Sequence, residues 1–404
     1  MLPLRDLLGP VHGTREFHRR QVLVALLIKA DTQTRLADRT GLSGGTVSTI
    51  VSAFQRENIV RTDPGAPRGG GKRGATVRLR PAAGVAVGVY IGFNQAVAVA
   101  RQADRDHHDV SEQRIDSGAG RGLEELLPAV QEMIEAVVAD TGGRLADVVS
   151  LGVAVPGMLD PRTNQFATPV LPLWQEGDDP AAELQKWLHR ATGVTVPVVQ
   201  DNDANLAALA EHTYETQEHD ETLVFVKAST GVGAGVVVGS RLIRGERGMA
   251  GEIGHLTVRP QGDVCFCGGR GCLNTVIGSN VLLREVRESR PSRSADYPRD
   301  LLSLITMARA GDAVCRRVLT DAGHTLGFVL AQVCNFLNPN LIVLGGQLAA
   351  AGESVLDPCL RSMRRHALPG AVPDGFRLKP SALDRLAEAQ GALVLGLSRY
   401  ATRG

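Results

Sequence analysis

No apolar run in the 404-residue chain approaches the roughly 18–20 residues that a membrane helix needs. The longest candidate, residues 84–100, is interrupted by Gly88, Gly92, Asn94 and Gln95 and reads better as two strands. A membrane role is therefore not expected. The opening M-L-P-L-R-D-L-L-G-P lacks a basic segment followed by a long apolar core, so no secretory signal is expected either. A disulfide framework is missing too. Of six cysteines, three crowd together at 265, 267 and 272, while Cys315, Cys334 and Cys359 stand singly in helical patterns as expected core thiols. That usage fits a metal site in a reducing compartment, with a cytoplasmic location expected. No short-period repeat is present, which excludes a solenoid.

A large net charge is also absent, +1 overall, but the balance hides an asymmetry. Residues 1–80 hold fourteen Lys or Arg against six Asp or Glu, a net +8, which leaves −7 for the rest. A basic head on an acidic body suggests that the head binds nucleic acid. With 43% hydrophobic residues and this length, the chain can bury a real core over two or three domains.

Within the head, Thr14 can cap a helix running to about Lys29. Thr34 can cap a short second helix from Arg35 to Thr40, Gly41 makes the turn, and a third helix runs from about Ser43 to Glu57. Val47, Ile50, Val51 and Phe54 recur at helical spacing and face inward. This is a helix-turn-helix pattern, whose second helix enters the major groove. Ser43, Thr46, Ser48 and Thr49 stand near the start of that helix, where hydroxyls reach base edges or phosphates. Strands starting at Ile59 and spanning Thr76 to Leu79 flank a tip carrying Arg68, Lys72 and Arg73. That reads as the wing of a winged helix, touching phosphates or the minor groove. Residues 81–84 are the linker.

From residue 85 to 404, strands alternate with helices, which predicts an α/β body. Expected elements include a helix over Leu123–Asp140, a buried strand over Val148–Val155, a helix over Pro180–Thr192 and a strand over Val194–Gln200. Glycine-rich stretches follow strands at Gly88–Gln95, Ser229–Gly235 and Leu344–Gln347. The second can cradle an anion on its amides or simply make a hairpin; the third can approach a nucleotide or turn the chain. Asp203, at a strand-to-helix junction, is either a helix cap or a carboxylate that takes a proton from a sugar hydroxyl while Asn202 holds a neighbouring one.

The densest chemistry lies between Met249 and Asn274. His255, Cys265, Cys267 and Cys272 place four soft ligands in eighteen residues, the set that zinc takes in a closed tetrahedron. Gly268, Gly269 and Gly271 let the chain fold tightly between the last two cysteines. Glu252 lies three residues before His255.

G-V-A-V-P-G at 152–157, D-N-D-A-N at 201–205, G-E-I-G-H at 251–255 and C-F-C-G-G-R-G-C at 265–272 stand in the order found in the ROK family of repressors, open reading frames and kinases, which the chain resembles over nearly its whole length. The resemblance implies an N-terminal winged helix-turn-helix (1–80) before a two-lobed sugar-kinase-like body of actin-like ATPase or ribonuclease H-like type (85–404). Its last helix, about 388–400, would return to the first lobe. It implies sugar contacts at Asn202, Asp203, Glu252 and His255, structural zinc on His255, Cys265, Cys267 and Cys272, and Asp203 as the base in the family's kinases. Two departures stand out. The kinases' Asp-x-Gly-Gly-Thr phosphate loop is here Tyr90-Ile91-Gly92-Phe93-Asn94. The family's glutamate two residues after the last zinc cysteine is here Asn274, a further expected ligand contact. The expected function is therefore a sugar-responsive regulator, a repressor of carbohydrate genes. It would be a homodimer or homotetramer on a double-stranded operator, with neither ATP nor magnesium expected. A sugar kinase with an appended head is the alternative, and a regulator that has lost its sugar is a third reading.

Overall fold

Residues 7–8, 11, 13–63, 75–80, 84–167, 171, 173–175, 177–215, 222–290 and 297–401 are described in a computed structural model. Helix α1 spans Thr14–Ile28 and buries the seven residues from Val22 to Ile28. It starts after Gly13, whose φ of 101° turns the chain in, so Thr14 is the first helical residue and not the expected cap. A two-residue strand, β1 (Asp31–Thr32), leads into α2 (Gln33–Thr40). Here the cap is Thr32 and not Thr34: its hydroxyl accepts the Arg35 N–H at 3.4 Å. Pairing of β1 with a later strand holds Thr32 extended, the geometry a cap needs. Gly41, at φ 70°, ends α2 in the left-handed conformation that glycine adopts without penalty.

Helix α3 spans Gly44–Arg56 and is capped by Ser43, whose hydroxyl accepts the Thr46 N–H at 3.2 Å. Val47, Ile50, Val51 and Phe54 are buried, the face the spacing predicts. Strands β2 (Val60–Asp63) and β3 (Thr76–Leu79) pair antiparallel, and β1 adds to the far edge of β3. The tip with Arg68, Lys72 and Arg73 lies outside the described residues, as does most of the linker.

The chain divides into two compact units. The first comprises residues 1–157, 164–206 and 388–404; the second comprises 158–163 and 207–387. In the first, β4 (Val85–Ile91), β5 (Ala96–Gln102) and β6 (Ser111–Ile115) form an antiparallel meander. After α4 (Leu123–Asp140), β7 (Val148–Val155) pairs parallel to β4. After α5 (Pro180–Thr192), β8 (Val198–Asn202) pairs parallel to β7. Arg101, on β5 and only 2% exposed, donates to the carbonyls of Leu27 (2.7 Å) and Ile28 (3.2 Å) at the C-terminal end of α1. A guanidinium at exposed carbonyls of a helix end is favoured by the helix dipole.

Helix α6 (Asp203–Glu215) follows β8. In the second unit, β9 (Leu223–Ala228), β10 (Val232–Val238) and β11 (Arg241–Ile243) form another antiparallel meander. The metal-ligand stretch and helices α7 (Asn274–Ile277), α8 (Ser279–Glu288), α9 (Leu301–Arg309) and α10 (Ala313–Leu337) come next. Strand β12 (Leu341–Gly345) then pairs parallel to β9, helix α11 (Glu353–His366) packs on α10, and β13 (Arg377–Pro380) completes the sheet. The order β11-β10-β9-β12-β13 repeats the first unit's β6-β5-β4-β7-β8.

The chain ends in α12 (Ala387–Ser398), which from Glu388 belongs to the first unit. Gly88 and Gly152 seat it there. A Cβ on Gly152 would lie 1.8 Å from the Ala392 carbonyl oxygen, and one on Gly88 would lie 2.0 Å from that of Ala389. Among the described residues, no helix is long and apolar enough to cross a membrane.

Candidate metal centre and ligand-binding residues

The metal-ligand stretch folds by backbone pairing to itself. The Val258 N–H donates to the Gly271 carbonyl at 2.8 Å, Gly271 N–H to Asp263 at 2.8 Å, and Cys265 N–H to Gly269 at 2.8 Å. Gly271, at φ 65°, is pressed so close to Arg259 that a Cβ would fall 1.5 Å from its carbonyl oxygen. The glycines expected to allow a tight return do so, at Gly268 and Gly271 by positive φ.

This folding brings His255, Cys265, Cys267 and Cys272 together, with ligand atoms all within 4.8 Å of one another. His255 Nδ1 lies 3.6 Å from Cys265 Sγ, and Cys267 Sγ lies 3.7 Å from Cys272 Sγ. A tetrahedral zinc, with bonds of about 2.3 Å to sulfur and about 2.0 Å to nitrogen, has edges of about 3.8 Å and about 3.5 Å. The four residues therefore fit such an ion. Cys265 and Cys272 are buried and Cys267 is exposed. The Gly269 N–H, 3.4 Å from Cys267 Sγ, draws that thiol down from its ordinary value, whereas burial pushes the Cys272 thiol up to about 12. Burial lowers the His255 pKa, which favours the neutral imidazole that binds metals.

With Nδ1 turned to the sulfurs, His255 presents Nε2 to two polar side chains. Glu252 Oε2 lies 3.9 Å away and Asn274 Nδ2 3.5 Å away. The Phe266 ring stands edge-on to the imidazole at 5.0 Å. Asn274 Oδ1 accepts the Val232 N–H at 2.7 Å, so Asn274 also anchors the start of β10. Glu252, His255 and Asn274 thus form one polar group beside the metal ligands.

Asn202 and Asp203 belong to the first unit. Asn202 Oδ1 accepts the N–H groups of Ala204 (2.9 Å) and Asn205 (3.1 Å), and its Nδ2 donates to the Gly157 carbonyl at 3.0 Å. The helix cap is therefore Asn202. Asp203 is in the first turn, 6% exposed, with Oδ1 2.8 Å from the Ala204 N–H. Asp201 escaped the sequence reading. It is buried, and its Oδ1 accepts the Asn202 N–H at 2.7 Å and lies 3.3 Å from Asn205 Nδ2. The signal was present in the polar cluster D-N-D-A-N at a strand end.

The β4–β5 turn, at Gly92–Gln95, is filled by its own side chains. A Cβ on Gly92 would lie 2.5 Å from the Tyr90 hydroxyl, and one on Gly120 would lie 3.2 Å from the Phe93 ring. The Ser229–Gly235 stretch is a tight hairpin and not an open loop: Gly233 and Gly235 sit in β10, opposite Lys227 and Phe225. Gly345 abuts the Phe225 ring, and Gly346, at φ 74°, turns the chain so that Gln347 N–H reaches Ser229 Oγ at 3.0 Å. A second His/Asp group, Asp106, His107 and His108, lies after β5. There Asp106 Oδ1 is 3.1 Å from His107 Nδ1, and burial holds the His107 pKa at about 4.

On α3, Ser43, Ser48 and Thr49 are exposed and Thr46 is half-buried. Ser43 and Thr46 hydroxyls bond to each other at 2.8 Å, and Thr49 Oγ1 donates to the Gly45 carbonyl at 2.9 Å.

A protein-family model described as the ROK family matches residues 86–399. A glucokinase of Halalkalibacterium halodurans is 34% identical over 248 residues, 59% of this chain and 73% of that protein. A xylose repressor of Bacillus spizizenii is 25% identical over 375 residues, 91% of each chain. A solved structure of a ROK family transcriptional regulator, described as a homologue of an E. coli protein, superposes with a TM-score of 0.69 at 21% identity. It covers 95% of this chain and 97% of that one, a likeness of fold.

Proposed function

The chain belongs to the ROK family, and from that premise we propose that it is a sugar-responsive transcriptional repressor of carbohydrate uptake or metabolism genes, without kinase activity. The observation that carries this reading is that the likeness to a xylose repressor covers 91% of each chain and so extends beyond the body into the head. Residues 1–80 act as the winged helix-turn-helix, 81–84 as the linker and 85–404 as the effector and dimerisation body. Ser43, Thr46, Ser48 and Thr49 on α3 face the major groove, and Arg68, Lys72 and Arg73 contact the backbone or minor groove. Two heads in a homodimer, or a tetramer built from dimers, match a near-palindromic operator. A bacterial, cytoplasmic setting follows from that role.

The effector is a sugar held by Asn202, Asp203, Glu252, His255 and Asn274. It changes operator affinity only through different affinities for the two states of the protein. Zinc on His255, Cys265, Cys267 and Cys272 fixes the imidazole so that Nε2 faces the ligand side. Tyr90 packed on Gly92 supports the absence of kinase activity. It stands where the family's kinases place an aspartate, and its ring covers the glycine that would otherwise leave room for a phosphate.

The competing reading is a hexose kinase with Asp203 as base, favoured by the 34% identity to a glucokinase and by the buried carboxylate at the start of α6. Selection of genomic fragments by the purified protein, with and without a sugar panel, tests the proposal. Enrichment of one palindromic site, released by one sugar, is expected. ATP-dependent phosphorylation of a hexose, abolished in Asp203→Asn, would establish the kinase instead.

A further inference from the structure

A groove of about 670 Å³ lies in the second unit where α10, α11 and the metal-ligand stretch meet. Its charged lining carries a single sign, Arg259 from the metal-ligand stretch and Arg361 and Arg365 from α11, and the imidazoles of His324 and His366 line it as well. No carboxylate is among its lining residues. None of the three guanidiniums makes an ion pair or hydrogen bond with the described residues. Other arginines of this unit are neutralised: Arg284 by Asp263 at 2.7 Å, Arg317 by Asp321 at 2.7 Å, and Arg290 by Asp312 at 2.5 Å.

Elementary electrostatics disfavours the arrangement as it stands. Arg361 and Arg365 are one helical turn apart, and like charges at that spacing repel. The exposed carbonyls at the end of α11 account for cations in its last turn, Arg364, Arg365 and His366. They do not account for Arg361, a turn earlier, or for Arg259, which comes from another element. Arg259 is also held in place, because its N–H donates to the Gly271 carbonyl at 3.1 Å within the metal-ligand stretch. The groove has an apolar wall as well. Phe328 is 38% exposed and meets the His366 ring edge-on at 5.2 Å. His366 Nδ1 lies 2.8 Å from the Ser362 carbonyl, which fixes Nδ1 as the donor and leaves Nε2 to face other partners.

We propose that this groove is a second ligand site, which binds a small phosphate monoester. Guanidiniums present paired donors that match the oxygens of a phosphate, and three of them neutralise a dianion that the groove itself leaves without a counter-charge. The volume lies within the range of small-molecule sites, and the Phe328 ring offers a surface for the organic part of the ester. None of Asn202, Asp203, Glu252, His255 or Asn274 lines the groove, so the site is separate from the one proposed for the sugar effector.

Isothermal titration of the full-length protein with glucose 6-phosphate, inorganic phosphate and glucose tests this. Arg361→Ala/Arg365→Ala, Phe328→Ala and Asn202→Ala variants serve as comparisons, each checked for unaltered thermal midpoint and metal content. The ester is expected to bind more tightly than inorganic phosphate. The double arginine variant should weaken both by about 100-fold or more, since each lost charge-assisted contact is worth roughly tenfold or more. Phe328→Ala should weaken only the ester. Any response to glucose should persist in the arginine variant. Absence of heat with either phosphate, equal affinity in the arginine variant, or loss of ester binding only in Asn202→Ala would overturn the proposal. A changed sedimentation coefficient in the arginine variant without phosphate binding would overturn it in favour of a contact between copies of the chain.

Discussion

Replacing Cys272 by serine should strip the metal from this protein without unfolding either unit. Cys272 is 2% exposed, and its sulfur lies 3.7 Å from that of Cys267, the edge length of a tetrahedral zinc site. Structural zinc contributes about 10–16 kcal/mol in small zinc-binding peptides. Shared evenly over four ligands, that is about 3 kcal/mol for each, or roughly a hundredfold in metal affinity. Serine offers a hydroxyl that does not ionise near neutral pH and so recovers little of it. Cys359→Ser is the matched control. Cys359 is also fully buried, its thiol pushed up to about 12 by burial, but it packs in the core and is not among the cluster's ligands. That variant should cost about 1–3 kcal/mol of stability, from burying a hydroxyl, and leave the metal untouched. The assay is metal content by elemental analysis after dialysis against a chelator, followed by competition with a chromogenic chelator. One equivalent of zinc per chain is expected in the parent and in Cys359→Ser, and much less than one in Cys272→Ser. Equal retention by Cys272→Ser and the parent would refute the reasoning, as would a parent that holds no zinc.

Gly152→Ala should destabilise the first unit by about 2–4 kcal/mol, because the added Cβ meets the Ala392 carbonyl oxygen at 1.8 Å and forces α12 off the sheet. A urea midpoint unchanged within error would contradict the close seating of that helix. Glu211 is fully buried, with Oε1 3.3 Å from the Leu383 N–H, and burial raises its pKa. The folded state therefore holds its proton more tightly than the unfolded chain. Its contribution to stability is complete below the unfolded value and is lost as pH rises through the folded one. Glu211→Gln should accordingly match the parent in acid and exceed it in stability at neutral pH; thermal midpoints across pH 4–8 read the difference.

Much of the fold was legible because its signals are local. Leu123–Asp140, Val148–Val155 and Pro180–Thr192 form the expected elements to the residue, since their hydrophobic periods end where turns and caps begin. The four metal ligands fall within eighteen residues, so spacing alone exposed them. Misplaced boundaries came from partners distant in sequence. Strand β8 starts at Val198 and runs on to Asn202 because β7 offers Val155 as a partner there, which no local pattern records. Thr32 displaces Thr34 as a cap because β3 holds it extended. Of the two readings open for Ser229–Gly235, an anion cradle or a hairpin, the ladder to β9 selects the hairpin, with Gly233 and Gly235 as strand residues. The basic groove was illegible for a simpler reason. Arg259 and Arg361 are about a hundred positions apart, and each alone reads as a solvated charge.

Arg101 gives the head a mechanical meaning. A domain joined to its body only by a short linker samples many orientations, and its DNA contacts must then bear the entropic cost of choosing one. Here a buried guanidinium on β5 grips the last carbonyls of α1, so that helix and the sheet share a frame of reference. Rotation of that sheet by even a few degrees would swing α3 through an arc instead of being absorbed in slack chain. On the proposed function, such stiffness would set the gearing between ligand binding in the body and the pitch at which the head meets a duplex.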